Sequence, residues 1–145
     1  MVKTAFTKKY RRIEKKLITE AVIKYQEEMV RIKNAMWDTG ANITCISKTV
    51  CDRLQLIPIG EAIVLTPLGE SIVEKYLVDI ELSKGFTVTD VEVLSTEIGQ
   101  QGLDLLIGMD IISLGDFSIS NFNGKTQFSY RCPSREHIDY TDKTV

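Results

Sequence analysis

The sequence predicts a mainly β domain, and three observations in its second half support this assignment. Apolar and polar residues alternate over Tyr76–Ser83, which is the pattern of a half-buried strand. Asn123 and Gly124 stand between two further alternating runs, and this pair favours a hairpin because both residues tolerate positive φ. No long strand-helix-strand units separate these short strands, so an all-β fold class is predicted.

Turn residues between these runs place the individual strands. Residues 61–65 lead into a turn marked by Pro67 and Gly69, after which the alternating strand follows. The next turn, Ser83–Gly85, connects that strand to a partner strand that begins at Phe86.

Residues 17–37 are ambiguous when they are judged by pattern alone. Their apolar residues nearly fit a helical stripe, and propensity also favours a helix. The same residues fit two strands, Ile18–Lys24 and Met29–Trp37, around the polar connection "YQEE". The pattern leaves both alternatives open.

Bulk composition is that of one globular domain. The chain has 145 residues, of which 43% are hydrophobic and 26% are charged. The net charge of −2 gives no overall attraction to nucleic acid or membrane, and no apolar run approaches the length of a membrane span. The three cysteines do not suggest a disulfide framework, and no secretion signal is evident, so a cytoplasmic location is expected.

The two ends of the chain differ from its centre in composition. Residues 1–16 are predicted to be a basic N-terminal arm, residues 17–131 the folded domain, and residues 132–145 a polar C-terminal tail. The arm contains a cluster of cations: Lys8, Lys9, Arg11, Arg12, Lys15 and Lys16. This cluster is interpreted as a solvated charged surface, because Tyr10 is its sole aromatic residue and no phosphate-binding loop is present. A nucleic-acid binder that uses this arm is the alternative.

The candidate site begins where a hydrophobic run ends on an acidic residue, in Asp38-Thr39-Gly40. An aspartate at a strand end projects from a rigid element, where its carboxylate can orient or activate water. Threonine can hydrogen-bond to the neighbouring backbone, and glycine permits a tight turn or a close approach by another backbone segment. Alone, these three residues favour a surface turn over a functional site.

A second stretch places an aliphatic pair, Leu106 and Ile107, directly before Gly108. A glycine after such a pair lets a buried strand pass beneath another loop without a side chain in the way. Alone, this stretch also fits an ordinary buried strand followed by a turn.

Together, in this order and spacing, the two stretches resemble the retropepsin family of retroviral-type aspartic proteases. The matching residues are "WDTGANITCIS" at 37–47 and "LLIGMDII" at 105–112, and residues 64–82 resemble the flap hairpin of that family. The resemblance covers residues 17–131. It implies an all-β, retropepsin-like acid-protease fold with one short helix in the C-terminal half, and it favours a β-hairpin at 18–37.

The resemblance also implies an activity, that of an aspartic endopeptidase acting on protein or peptide substrates without a cofactor or metal. The chain contains a single Asp-Thr-Gly, so the family's paired aspartates require a two-fold homodimer with one Asp38 from each subunit. By resemblance, Thr39 hydrogen-bonds across the dimer interface, Gly40 lets backbone approach the two aspartates, and Ala41 lines the cleft floor. No nucleic-acid or membrane partner is implied.

Flap candidates by the same resemblance are four residues that would close over the substrate: Leu68, Gly69, Glu70 and Ser71. Trp37 stands where the family more usually has a smaller aliphatic residue, which implies altered packing beneath the catalytic loop. Asp110 is expected to cap the short helix after Gly108. Cys45 is expected to act as a small buried hydrophobe rather than a nucleophile.

One alternative function keeps the fold but not the chemistry. A catalytically silent dimer of the same fold would serve as a peptide-binding or scaffolding module, because an intact Asp-Thr-Gly is necessary for catalysis but not sufficient.

Overall fold

The computed structural model of the chain describes residues 3–142, which form ten β-strands. In chain order, the strands are β1 Ala5–Lys9, β2 Leu17–Tyr25, β3 Glu28–Trp37, β4 Cys45–Ser47, β5 Gly60–Thr66, β6 Gly69–Ser83, β7 Phe86–Thr96, β8 Leu105–Ile107, β9 Asp116–Ser120 and β10 Gln127–Arg131. The predicted all-β class is confirmed.

Helical structure within these residues is short. The α-helices are α1 Lys48–Leu54 and α2 Met109–Ile112, and single 3₁₀ turns occupy Glu97–Gln101 and Phe122–Gly124. No helix in residues 3–142 has the length and apolar character needed to span a membrane. The short helix predicted in the C-terminal half is α2.

Seven strands form one sheet in the order β2-β3-β8-β4-β7-β6-β5. An additional pairing of β2 with β6, which includes Ile23 opposite Ile80, closes six of these strands into a barrel. Closure removes the free sheet edges on those six strands and encloses a core of aliphatic side chains. Strand β5 remains outside the closed ring and pairs only with β6 among the described strands.

The hairpin at residues 18–37 is confirmed. Strands β2 and β3 pair antiparallel from Leu17 opposite Trp37 to Tyr25 opposite Glu28, with an irregularity between Thr19 and Ala21. The connection turns at Gln26, whose φ is 56°. This tertiary pairing outweighs the helical propensity of the segment.

The hairpin predicted at Asn123-Gly124 is also confirmed, since β9 and β10 pair antiparallel around it. Asn123 has a φ of 56° and Gly124 a φ of 72°, as the sequence predicted for this pair. The connection is longer than a two-residue turn, because residues 121–126 separate the strands and include a 3₁₀ turn.

Helix α1 was not predicted from the sequence. It begins after Ser47, whose hydroxyl accepts a hydrogen bond from the Val50 amide at 3.3 Å. Val50, Cys51 and Leu54 form its buried face, and the helix ends at Gln55, which adopts a left-handed conformation.

Part of the predicted basic arm forms a strand of the fold. Strand β1 pairs antiparallel with β10, and β10 pairs with β9, so the three strands form a second sheet. Phe6 of β1 packs its ring against the rings of Phe128 and Tyr130 at centroid distances of 5.7 and 6.5 Å.

An aromatic cluster joins this second sheet to the barrel beneath the Asp38 loop. Its centre is Trp37, the last residue of β3, whose side chain is buried. The Trp37 ring lies 5.2–5.8 Å, between centroids, from four partners: Phe6, Phe117, Phe128 and Tyr130. Its indole N–H donates to the Thr19 hydroxyl at 2.9 Å, so the large side chain is buried without an unsatisfied donor.

The polar C-terminal segment lies against β9 through hydrogen bonds rather than through a regular element. The Asp116 carboxylate accepts from the Arg135 amide at 2.9 Å, from the Ser134 hydroxyl at 2.5 Å and from Arg131 Nε at 2.7 Å. These bonds, that from Arg135 above all, hold the pKa of Asp116 well below its usual range.

We predict that Phe6→Ala lowers the free energy of unfolding by about 2 kcal/mol, because a half-buried ring is lost from the aromatic cluster. Lys9→Ala, at an exposed position in the same strand, is the matched control and should change stability by less than about 0.5 kcal/mol. Denaturant unfolding measures both values. Equal effects of the two substitutions would show that residues 5–9 behave as an arm outside the domain.

Candidate active site

Asp38 follows β3 directly, and hydrogen bonds to backbone groups of neighbouring residues fix both its amide and its carboxylate. Its amide donates to the carbonyl of Ile107 in β8 at 2.9 Å, which extends the β3–β8 pairing by one residue. Its Oδ1 accepts from the Gly40 amide at 2.8 Å. The carboxylate is half-buried, whereas Thr39 and Gly40 are exposed. The loop therefore presents an oriented carboxylate at the surface of the chain.

The loop after Asp38 crosses closely over the backbone at Gly108. A Cβ added to Gly108 would lie 2.9 Å from the Ala41 carbonyl oxygen and 2.9 Å from the Ile43 carbonyl carbon. The amide of Met109 donates to that Ala41 oxygen at 2.7 Å. The two sequence motifs are thus brought together, and glycine is required at 108 because any side chain would collide with backbone.

Strand β8 lies between β3, which leads into the Asp38 loop, and β4, which follows that loop. It runs parallel to β3, with Trp37 opposite Ile107, and antiparallel to β4, with Cys45 opposite Leu106. Leu105 and Ile107 are fully buried. The aliphatic pair predicted at 106–107 therefore supports the loop from below.

A buried hydrogen-bond network locks this crossing, and its central residue, Thr44, was not identified from the sequence. The Thr44 hydroxyl donates to Asp110 Oδ1 at 2.7 Å and accepts from the Gly108 amide at 3.2 Å. The Thr44 amide donates to Asp110 Oδ2 at 3.0 Å. Thr44 is fully buried. The available signal was a threonine within the apolar run 43–46, where burial demands a partner.

The role predicted for Asp110 is wrong. Gly108 occupies the N-cap position of α2, and Asp110 is the second residue inside the helix. Its carboxylate accepts from Ile111 N at 3.0 Å, within the first turn, but its other contacts are directed to Thr44. Asp110 therefore connects the helix to the Asp38 loop. Asp104, on the other side of β8, accepts from the Ser47 hydroxyl at 2.9 Å.

Cys45 lies near the loop but faces an apolar cluster that contains Ile98, Leu103 and Leu106. Its Sγ donates to the Ile43 carbonyl at 3.4 Å. Burial raises the pKa of the Cys45 thiol, which keeps the sulfur protonated and weakly nucleophilic. Within residues 3–142, no group of three or more potential ligand side chains is arranged to hold a metal ion.

The four flap candidates lie at the tip of the β5–β6 hairpin. Thr66 pairs with Gly69 across the turn, and Gly69 has a φ of 115°, which favours glycine. Leu68 is fully exposed, and Glu70 and Ser71 are also exposed. The hairpin therefore projects an apolar tip into solvent.

Comparison with known proteins agrees with this architecture. Residues 26–111, more than half of the chain, match the sequence model of the aspartyl protease family. The chain therefore belongs to that family, and its fold is retropepsin-like, as the sequence motifs predicted. No curated protein sequence matches it significantly.

Solved structures of other proteases are similar to the chain, including the following two. A retropepsin-like aspartic protease from Rickettsia conorii is 13% identical with a TM-score of 0.56, and the match covers 91% of this chain and 98% of that one. The protease of Simian Foamy Virus (mac) is 25% identical with a TM-score of 0.49, and the match covers 67% of this chain and 92% of that one.

We predict that Gly108→Ala lowers the free energy of unfolding by about 2 kcal/mol, because its Cβ would displace the backbone at Ala41 and Ile43. Gly60→Ala is the matched control, since no atom lies within 4 Å of a Cβ added there. Denaturant unfolding of both variants checks this. Similar stabilities for the two variants would mean that the loop does not cross Gly108 closely.

Proposed function

We propose that the chain is an aspartic endopeptidase whose active site forms between two copies related by a two-fold axis. The observation that carries the proposal is the single Asp-Thr-Gly, presented on a loop that β8 and the Thr44–Asp110 network hold in place. One such loop supplies one carboxylate. A second copy supplies the other.

Catalysis follows from the proximity of the two Asp38 carboxylates. Two carboxylates that are close together cannot both ionise at low cost, so they share one proton. The ionised carboxylate takes a proton from a bound water as that water attacks the peptide carbonyl carbon. The protonated carboxylate donates its proton to the developing oxyanion, which gives a gem-diol intermediate. The carboxyl group that took up the water proton then protonates the amide nitrogen, and the other carboxylate takes back a proton from the gem-diol as the C–N bond breaks. The amine leaves, and the two carboxylates again share one proton.

The remaining residues of the loop position these groups in the proposed dimer. The exposed Thr39 would hydrogen-bond to the partner's loop and fix the separation of the carboxylates. A Cβ added to Gly40 would lie 3.1 Å from Asp38 Oδ1, so a side chain at position 40 would press on the carboxylate. Ala41 would line the cleft floor. The hairpin tip at 68–71 would close over an extended substrate and exclude water.

A cytoplasmic site of action is supported by the state of the cysteines. Cys45, Cys51 and Cys132 are all free thiols, which suits a reducing compartment.

We predict that Asp38→Asn lowers kcat for peptide cleavage by at least about a thousandfold, because the amide can neither accept nor donate the required proton. The substitution is nearly isosteric and keeps an oxygen that can accept from Gly40, so the fold should be retained. Asp52→Asn, at an exposed position on α1, is the control and should keep full activity. Mass spectrometry of a digested peptide library measures cleavage.

Full activity in the Asp38→Asn variant would contradict the mechanism. Peptide binding without cleavage by the wild type would instead favour the catalytically silent, peptide-binding alternative.

A further inference from the structure

A second charged feature flanks the Asp38 loop, and the proposed mechanism does not use it. Residues 1–16 contain seven lysine and arginine residues and one glutamate, although the whole chain has a net charge of −2. The remainder of the chain is therefore strongly acidic. Such segregation of charge within one domain favours an anionic partner at the basic surface.

The basic loop, residues 10–16, is fixed rather than freely mobile. It connects β1 to β2, and the buried residue Thr126 anchors it at three points. The Tyr10 amide donates to the Thr126 carbonyl at 2.9 Å, and the Thr126 amide donates to the Arg12 carbonyl at 3.1 Å. The Glu14 amide donates to the Thr126 hydroxyl at 2.8 Å. The cations of this loop are thus preorganised for binding.

The strand register places this loop beside the candidate catalytic residue. Leu17 is the first residue of β2 and stands directly opposite Trp37. Lys16 precedes Leu17 and Asp38 follows Trp37, so the next pair along the same hairpin would be Lys16 and Asp38. Opposed residues of antiparallel strands lie about 5 Å apart between Cα atoms, so the basic loop borders the Asp38 loop.

An open groove extends from the basic loop along the hairpin. Its volume is about 620 Å³, and its cationic lining combines Lys8, Lys9, Arg11 and Arg12 with Lys33 of β3. Within residues 3–142, Arg12 is the one member of this set with an ion pair, to Glu14 at 3.1 Å. Lys9, Arg11 and Lys33 are therefore available to a ligand, whereas the Lys8 ammonium lies over the Tyr10 ring.

The groove fits an acidic polypeptide better than a nucleic acid. Its single aromatic residue is Tyr10, whose ring is covered by the Lys8 ammonium at 5.5 Å and whose hydroxyl donates to the Ile18 carbonyl at 2.7 Å. The Phe128 ring also stacks with Tyr10 at a centroid distance of 6.4 Å, so the aromatic surface that nucleic-acid bases stack on is already occupied. Glu14 and Glu20 also line the groove and would repel a continuous run of phosphates.

We propose that the basic loop and groove bind acidic residues of a polypeptide substrate that flank the scissile bond. This inference rests on the proposed function, because it assigns a substrate class to that same site. The Lys16 side chain, which starts about 5 Å from Asp38 between Cα atoms, reaches a substrate residue about three positions from the scissile bond, at about 3.3 Å per residue. In a two-fold dimer, one basic loop lies on each side of the cleft.

The test uses two fluorescein-labelled peptides with the same apolar centre, Ala-Leu-Phe-Leu-Ala. The flanks are Asp and Glu in one peptide and Asn and Gln in the other. Fluorescence anisotropy measures their binding to the Asp38→Asn protein, which prevents turnover. We expect the acidic peptide to bind at least about fivefold more tightly at about 0.05 M salt and to lose this preference at about 0.5 M salt.

Two double variants, each of which removes two positive charges from the Asp38→Asn protein, isolate the contribution of the basic loop. Arg11→Gln/Lys16→Gln removes two exposed cations of the loop and should abolish the preference for the acidic peptide. Arg53→Gln/Lys84→Gln removes two exposed cations elsewhere and should leave the preference unchanged. Equal affinities for the two peptides, no binding of either peptide, or equal losses in both variants would overturn the proposal.

Two further measurements separate the related hypotheses. A labelled single-stranded oligonucleotide that binds more tightly than the acidic peptide, and loses this binding in Arg11→Gln/Lys16→Gln, would overturn the proposal in favour of nucleic-acid binding. Cleavage of both peptides by the wild type tests the proposed function separately. If both peptides are bound and cleaved equally, the proposed preference for acidic residues is wrong but the endopeptidase assignment stands. If the acidic peptide is bound preferentially but neither peptide is cleaved, the endopeptidase assignment is wrong but the acidic binding preference stands.

Discussion

The close passage of the Asp38 loop over Gly108 is the constraint on which the rest of the structure depends. With backbone atoms 2.9 Å from the position of an absent Cβ, the two segments meet without any intervening side chain. Hydrogen bonds from the buried Thr44 to both oxygens of Asp110 then hold the segments in register. Because the contacts are made by backbone and by a fully buried threonine, the position of Asp38 is independent of flexible surface side chains.

The aromatic cluster connects the Asp38 loop to strands near both ends of the chain. Trp37 immediately precedes Asp38 and packs against rings from β9 and β10 and against Phe6 of β1. The second sheet, which consists of β1, β10 and β9, therefore supports the Asp38 loop from below. Strand β1 completes this sheet, and the residues that follow β1 form the basic loop beside Asp38. The same three-stranded sheet therefore supports both the Asp38 loop and the basic loop.

Local signals in the sequence were sufficient for the hairpin around Asn123-Gly124, because it depends on two neighbouring residues that tolerate positive φ. The crossing at Gly108 needed the family resemblance, since that stretch alone also fits a buried strand followed by a turn. The hairpin at 18–37 needed the family resemblance, since its pattern fits a helix equally well. The inclusion of β1 was missed because Phe6 is the one large apolar residue in "AFTKK", and its partner strand lies more than a hundred residues away. The role of Asp110 was misjudged because its position after Gly108 suggested a local cap, while its actual partner, Thr44, is remote in sequence.

The most direct test of a shared active site is the activity of wild-type protein after complete subunit exchange with an equal amount of Asp38→Asn protein. If each site needs one Asp38 from each copy, random pairing leaves about half of the wild-type subunits in active dimers, and activity should fall to about half. Excess Asp38→Asn protein should then suppress the activity almost completely. Unchanged activity at every ratio, with exchange verified by native mass spectrometry, would show that each subunit carries a complete site and would contradict the account.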